Sequence, residues 1–89
     1  MKIEVLFYGP FRDTALTDRT TAAVTDGGSL SNLIRSLATL YGDEFENQVN
    51  NMEGLRILIN GREYFLLGGM EAPLHEGDSV VFLPPLFGG

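Results

Sequence analysis

Apolar residues alternate with polar ones along parts of the chain and recur at helical spacing in another part. Lys2–Tyr8 begins as an alternation and then becomes wholly apolar, and Thr20–Thr25 is rich in β-branched residues, so both segments predict strands. A helix is predicted from the N-cap Ser29 to Gly42, a residue suited to ending it. Its apolar face consists of Leu30, Leu33, Ile34, Leu37, Leu40 and Tyr41.

The second half of the chain predicts more strands than helices. Asp43–Val49 favours a short second helix, and Leu55–Ile59 favours a third strand that ends at the tight-turn pair Asn60-Gly61. Arg62–Leu66 predicts a short returning strand, and Ser79–Leu83 predicts the last one. One amphipathic helix that covers one face of a mixed sheet of four to five strands gives a two-layer α+β domain.

Strand parity separates a core face from an outer face. Ile3, Val5 and Phe7 share one face of the first strand, and Lys2 and Glu4 mark the opposite face as solvated. The outer parity nevertheless becomes apolar toward the strand ends. The residues concerned are Leu6, Tyr8, Leu58, Val81 and Leu83. If these ends are neighbours, they form an exposed apolar patch, which is typical of a binding surface; the alternative is a scatter of ordinary surface residues.

Composition narrows the classes of function. The 89 residues suit one domain, 44% of them are hydrophobic, and no apolar run is long enough for a membrane helix. The net charge of −6 disfavours nucleic acid and is compatible with a basic protein partner, although it also has the simpler role of keeping a small protein soluble. Without cysteine or a signal peptide pattern, the chain is predicted to be cytoplasmic, with no membrane partner.

Catalytic and ligand-binding patterns are missing from the sequence. There is no cysteine, and His75 is the single histidine, so a transition-metal site has almost no ligands. The pairs Gly27-Gly28 and Gly68-Gly69 do not form a phosphate-binding fingerprint, and no nucleophile–base pair is apparent. We therefore expect neither a catalytic site nor a stably bound cofactor, and we expect a partner to supply any chemistry.

The most informative segment is the C-terminal one, "LPPLFGG". A terminal carboxylate is ionised at neutral pH and resists nucleophiles, so to react it must first become a mixed anhydride such as an acyl adenylate. An ATP-using partner would do this, and Gly89 has no side chain to obstruct it. Pro84-Pro85 predicts an extended exit from the sheet. The expected division is a domain at 1–83 and a tail at 84–89; the alternative is a tail packed on its own domain.

Three segments carry a resemblance to a known family. "VLFYGPFRD" (Val5–Asp13) resembles an opening strand with a Phe-Arg-acid turn, and "ILING" (Ile57–Gly61) resembles a hairpin. "PLHEGDSVVFLPPLFGG" (Pro73–Gly89) is similar to the closing block of the ubiquitin-like β-grasp sulfur carriers, which include the small subunit of molybdopterin synthase and the small archaeal modifier proteins. The resemblance implies a β-grasp domain with a flexible C-terminal Gly-Gly tail.

The resemblance also implies a mechanism and a set of site residues. An adenylating activating enzyme would use ATP to convert Gly89 to an acyl adenylate, and sulfur would then replace the adenylate to give a thiocarboxylate. Gly88 and Gly89 would be the functional terminus. Tyr8, Leu83 and Arg12 match positions of the family. Together with residues of the outer face and of the tail they are expected to contact partners; these further residues are Leu58, Val81, Pro84, Pro85, Leu86 and Phe87. Glu76 and the bulky pair Leu86-Phe87 depart from the family pattern, and Phe87 bears on which partner accepts the tail.

Three functions remain open at this point. The first is a sulfur carrier for molybdopterin synthesis, whose partner is the synthase large subunit; thiamine thiazole synthesis and tRNA thiolation are other destinations for the sulfur. The second is a protein modifier that joins Gly89 to target lysines, alone or in addition. The third is a ubiquitin-like binding module that is never activated. In each case we expect a protein that is monomeric when free and is not an enzyme by itself, although it could be the small subunit of a synthase.

Overall fold

Five strands and three α-helices make up the chain in the computed structural model, which describes residues 1–85. The predicted terminus at 86–89 lies outside these residues. The elements are β1 (Lys2–Phe7), α1 (Pro10–Ala15), β2 (Arg19–Ala23), α2 (Leu30–Tyr41), α3 (Asp43–Asn51), β3 (Arg56–Ile59), β4 (Arg62–Glu63) and β5 (Ser79–Leu83). Two 3₁₀ helices at Tyr64–Leu67 and Gly69–Glu71 lie between β4 and β5.

The strands form one mixed sheet in the order β2-β1-β5-β3-β4. The central strand β5 runs parallel to β1 and antiparallel to β3, and β2 and β4 add antiparallel edges. The predicted α+β architecture is therefore confirmed, with the last strand of the chain in the middle of the sheet. This order determines where the predicted tail would begin, because Leu83 ends β5 between the two strands that flank it.

The core lies between α2 and the inner face of the sheet. The predicted inward residues of β1 are buried, as are Val80 and Phe82 of β5. Four phenylalanines, Phe7, Phe11, Phe45 and Phe82, pack with ring centroids 5.4 to 6.0 Å apart. The prediction for Leu40 is wrong: it lies at the edge of the apolar stripe of α2 and is exposed.

A helix occupies the place of the expected opening turn. Gly9 and Pro10 end β1 as predicted, but Pro10 also begins α1, whose buried residues Phe11 and Ala15 join the core. Proline suits the first position of a helix because its fixed φ is helical and its missing N–H would have no partner there. Six residues are too few for a helical period to be recognised in the sequence.

The predicted strand Arg62–Leu66 is wrong beyond its first two residues. β4 pairs with β3 only through Arg62 and Glu63, and the chain then turns into the first 3₁₀ helix, which leaves Phe65 and Leu66 exposed. Gly68 ends this helix in a left-handed conformation that glycine adopts without strain. The remaining boundaries differ from the predicted ones by one or two residues.

The first turn of α2 offers a test of local stability. The side-chain oxygen of Asn32 accepts hydrogen bonds from the Ser29 amide at 2.8 Å and from the Ser29 hydroxyl at 3.1 Å. Asn32→Ala removes both bonds, so we expect the free energy of unfolding to fall by about 1 kcal/mol in denaturant titration. Asn47→Ala, on an exposed position of α3, is the control for helix propensity. An equal change in both variants would contradict the role of the cap.

Candidate functional site

A continuous apolar row crosses the outer face of the sheet. Val81 of β5 lies directly between Leu6 of β1 and Leu58 of β3, because it is the register partner of both. Arg19 of β2 is opposite Leu6, and Glu63 of β4 is opposite Leu58. The row therefore has three aliphatic side chains at its centre and one charged residue at each end.

A second row lies next to it, toward the end of β5. Leu83 is the register partner of Arg56, and the amide of Tyr8 donates a hydrogen bond to the carbonyl of Phe82 at 3.1 Å. Tyr8 is 48% exposed, while the four aliphatic residues are partly exposed. We call Leu6, Tyr8, Leu58, Val81 and Leu83 together the apolar patch.

The opposite end of the same face is polar. Glu4 is the register partner of both Thr21 and Ser79, so these three residues form a polar row beside the apolar one. The outer face thus changes from polar to apolar along the strands, and the apolar patch lies near the C-terminal end of the central strand β5. The strand register thus meets the condition that the sequence analysis set for an exposed apolar patch, and the role of these residues in binding a partner stays a prediction.

Arginines surround the apolar patch. Arg56 is held in place by Glu63, whose Oε1 accepts bonds from Nη2 at 2.6 Å and from Nε at 3.0 Å. Arg12 and Arg19 are exposed on the other side of the patch. Together with Leu6, Phe7, Tyr8 and Asp18 they line an open cleft. The surroundings of the patch are thus rich in guanidinium groups although the chain as a whole is acidic.

The root of the predicted tail joins this surface directly. Pro84 and Pro85 follow Leu83 without an intervening residue and are half-buried. The predicted site residues Tyr8, Leu58, Val81 and Leu83 therefore lie beside the point where the tail starts, and Arg12 lies at the margin. The other four, Leu86, Phe87, Gly88 and Gly89, lie outside the described residues.

Other kinds of site find little support in the described part of the chain. Among residues 1–85, no three His, Asp or Glu side chains come together in a way that could hold a metal ion. Within the same range, no helix has both the length and the apolar character needed to cross a membrane. His75 is exposed, with its Nδ1 3.7 Å from a carboxylate oxygen of Asp78.

The position of Arg19 beside the apolar patch was not predicted from the sequence. Arg19 begins β2 opposite Leu6, but the sequence gives no marker for the register of the first two strands. The loop between these strands contains a helix instead of a tight turn, so its length alone does not set the pairing. The one available signal was a charged residue immediately before the β-branched segment 20–25.

Comparison with known proteins agrees with this geometry. The model of the ThiS family matches residues 5–89. The small archaeal modifier protein 3 of Haloferax volcanii is 30% identical over 92 residues, with all of both chains covered. The solution structure of the Haloferax volcanii HVO 2177 protein is 30% identical, with a TM-score of 0.81 over 100% of this chain and 87% of the other.

A second structural likeness concerns the fold alone. The Pyrococcus furiosus protein described as a putative molybdopterin converting factor, subunit 1, is 23% identical, with a TM-score of 0.80 over 97% of this chain and 99% of the other. The family match, by contrast, spans nearly the whole chain and includes the closing segment that carries the sequence resemblance. This chain belongs to the ThiS family of ubiquitin-like sulfur carriers and modifiers.

Proposed function

We propose that this protein carries an activated C-terminus, in which a partner enzyme converts the carboxylate of Gly89 to an acyl adenylate. The observation that supports the proposal is that Pro84-Pro85 continue β5 directly beside the apolar patch, which we take to be the docking surface for the partner. A partner bound to the patch would hold its active site within reach of the terminus. Binding energy from a remote surface is then used to orient the reacting group.

The first step is an activation, because the terminal carboxylate is ionised at neutral pH and resists nucleophiles. The carboxylate oxygen of Gly89 attacks the α-phosphorus of ATP, an acyl–phosphate bond forms, and pyrophosphate leaves. Hydrosulfide, HS⁻, supplied by the partner system then attacks the acyl carbon, a carbon–sulfur bond forms, AMP leaves with the electron pair of the acyl–oxygen bond, and the sulfur loses its proton. The product is a thiocarboxylate, whose sulfur is a good nucleophile at neutral pH. We propose transfer of this sulfur to a precursor of molybdopterin as the primary role.

A second candidate has its own support. The small archaeal modifier protein 3 is named as a modifier and matches this chain at 30% identity over its full length. In that role a lysine amine of a target protein attacks the acyl carbon of the activated Gly89, and an isopeptide bond forms as the activating group leaves. Both roles use the same adenylate, so they are compatible in one protein.

Reconstitution tests the proposal. The full-length protein is incubated with the adenylating enzyme of its host, ATP and labelled pyrophosphate, and exchange of label into ATP is measured. We expect exchange only when this protein is present, and with a sulfur donor we expect a mass increase equal to the replacement of one oxygen by one sulfur. Exchange that does not depend on this protein would contradict the proposal.

The arginines at the margin lead to a prediction about the docking contact. Arg19 lies at one end of the apolar row, so we expect a partner seated on the patch to have carboxylates nearby, although the net charge of the whole chain is also compatible with a basic partner. We expect Arg19→Glu to raise the Kd for the activating enzyme roughly tenfold at low salt and less at high salt. Arg35→Glu makes the same charge change on α2, which covers the other face, and should have little effect. Equal effects of both substitutions would contradict a local contact.

A further inference from the structure

Two glycines flank the point where the tail leaves the sheet. Gly9 follows the end of β1, and Gly54 lies two residues before β3, so they come from the two strands on either side of β5. The chain passes between these strands as it continues from Leu83 into Pro84 and Pro85. One glycine therefore stands on each side of the proline pair.

Each glycine is in close contact with one proline. A methyl group built on Gly9 would lie 3.0 Å from Cγ of Pro84, and one built on Gly54 would lie 2.8 Å from Cβ of Pro85. Carbon atoms prefer separations of roughly 3.5 to 4.0 Å. A side chain at either position would thus displace the proline that faces it.

Among the described glycines with a positive φ, such a close contact occurs at Gly9 and Gly54 alone, whereas Gly28, whose φ is not positive, faces Cγ1 of Val24 at 2.6 Å. Five further glycines in the described residues have a positive φ and no atom near the methyl group that they lack. They are Gly27, Gly42, Gly61, Gly69 and Gly77. Their backbone conformation is enough to explain the choice of glycine. Gly9 and Gly54 also have positive φ, at 59° and 77°, but in addition they leave room for the prolines.

We propose that Gly9 and Gly54 form a proline seat, which fixes the point and the direction at which the activated terminus leaves the domain. The inference rests on the proposed function, because a fixed exit matters when Gly89 has to reach a nucleotide in the partner. Proline has a fixed φ, and Pro84 is further restricted to extended conformations by the proline that follows it. Because the rings of Pro84 and Pro85 are held against the two glycines, the backbone direction at this point is restricted as well.

A fixed exit reduces the range of positions that the carboxylate of Gly89 can take relative to the nucleotide site of the partner. Gly89 is four residues beyond Pro85, and a chain of four residues spans at most roughly 14 Å. Without the seat, Pro84 and Pro85 would no longer be held against the two glycines, and the chain would leave the domain in a wider range of directions. Holding a reacting group close to its target contributes to rate, and a displacement of about 1 Å can cost as much as a hundredfold. Gly9 and Gly54 act through the prolines, so they are positioning residues.

Gly54→Ala tests the seat, with Gly27→Ala as its matched control. The two glycines have nearly the same φ, at 77° and 81°, but only Gly54 faces a proline. We expect both variants to show a similar fall in the midpoint of thermal unfolding. Only Gly54→Ala should lower kcat for activation by the host's adenylating enzyme, by roughly tenfold, with little change in KM because the apolar patch is intact.

A direct measurement accompanies the kinetics. In the wild-type protein, nuclear Overhauser contacts should connect residue 54 with the ring of Pro85, and these should weaken in Gly54→Ala and persist in Gly27→Ala. If Gly54→Ala is activated with the wild-type kcat, the seat has no positioning role, while the proposed function stands. If the wild-type protein itself is not activated, the proposed function fails, and the positioning role fails with it.

A double-mutant cycle separates positioning from general damage and covers the case in which Gly54→Ala folds poorly. Pro85→Gly removes the ring that faces Gly54, while Pro84 still faces Gly9, so it should lower kcat to an extent similar to Gly54→Ala. In the Pro85→Gly background the further change Gly54→Ala should have little effect on kcat, because the residue it acts through is gone. An equal loss from Gly54→Ala in both backgrounds, or a wild-type kcat for Pro85→Gly, would overturn the inference.

Discussion

Deletion of Gly89 is expected to abolish activation of the protein while leaving its stability unchanged. The shortened chain still ends in a glycine, Gly88, so the chemistry of the terminal residue is preserved. Its carboxylate, however, stops one residue short, a distance of about 3.5 Å. Because adenylation needs the carboxylate in line with the α-phosphate of ATP, we expect the rate of exchange between pyrophosphate and ATP to fall by about a thousandfold or more.

The matched control is a chain extended by one glycine, which shifts the carboxylate by a similar distance in the opposite sense. We expect the same loss of exchange, and in both variants an unchanged midpoint of thermal unfolding. Appearance of a thiocarboxylate or of lysine conjugates on the protein that ends at Gly88 would contradict the account. It would mean that activation does not depend on having the carboxylate at the position of Gly89.

Val81→Asp is expected to weaken binding of the activating enzyme by about a hundredfold. Val81 is the centre of the apolar row, with Leu6 and Leu58 as its neighbours on the two adjacent strands. In the free protein the new carboxylate is partly exposed and stays hydrated. In the complex it would be buried against an apolar surface, and an unpaired buried charge costs about 3 kcal/mol or more, which corresponds to that factor.

Thr21→Asp is the control for Val81→Asp. It adds the same charge on the same face of the sheet, but in the polar row, where Thr21 is opposite Glu4. We expect its Kd to stay within a few-fold of the wild-type value in calorimetric titration. Both variants should unfold cooperatively, with Val81→Asp less stable by about 1 kcal/mol because aspartate is unfavourable in strands. Full binding by Val81→Asp would remove the apolar patch from the docking surface.

The sequence predicted those parts of the fold that repeat a period over many residues. The face of α2 is an example, since the apolar residues at helical spacing from Leu30 to Leu37 are buried as expected. Strand parity also held, and for this reason Leu6, Leu58 and Val81 were placed on one face before their register was known. Periodicity fails for short elements, and α1 was missed because six residues contain less than two helical turns.

Part of the surface described at the candidate site could be predicted from the sequence. The alternation in three strands predicted the residues of the apolar patch, whereas the role of the terminus rests on the closing segment and stays a prediction. The proline seat could not be predicted from the sequence. Gly9, Gly54 and the proline pair are far apart along the chain, and only the order of the strands brings them together. The position of Arg19 opposite Leu6 likewise depends on register, which no local pattern fixes.

The central claim, that Gly89 is chemically activated in the cell, is tested most directly by the intact mass of the protein isolated from its own host. The same sample is searched for lysines that carry a remnant of its C-terminus. We predict a species in which sulfur replaces one oxygen at Gly89, together with conjugates if the protein is also a modifier. An unmodified carboxylate and no conjugates, in cells in which the pathway is active, would contradict the account and leave a binding module that is never activated.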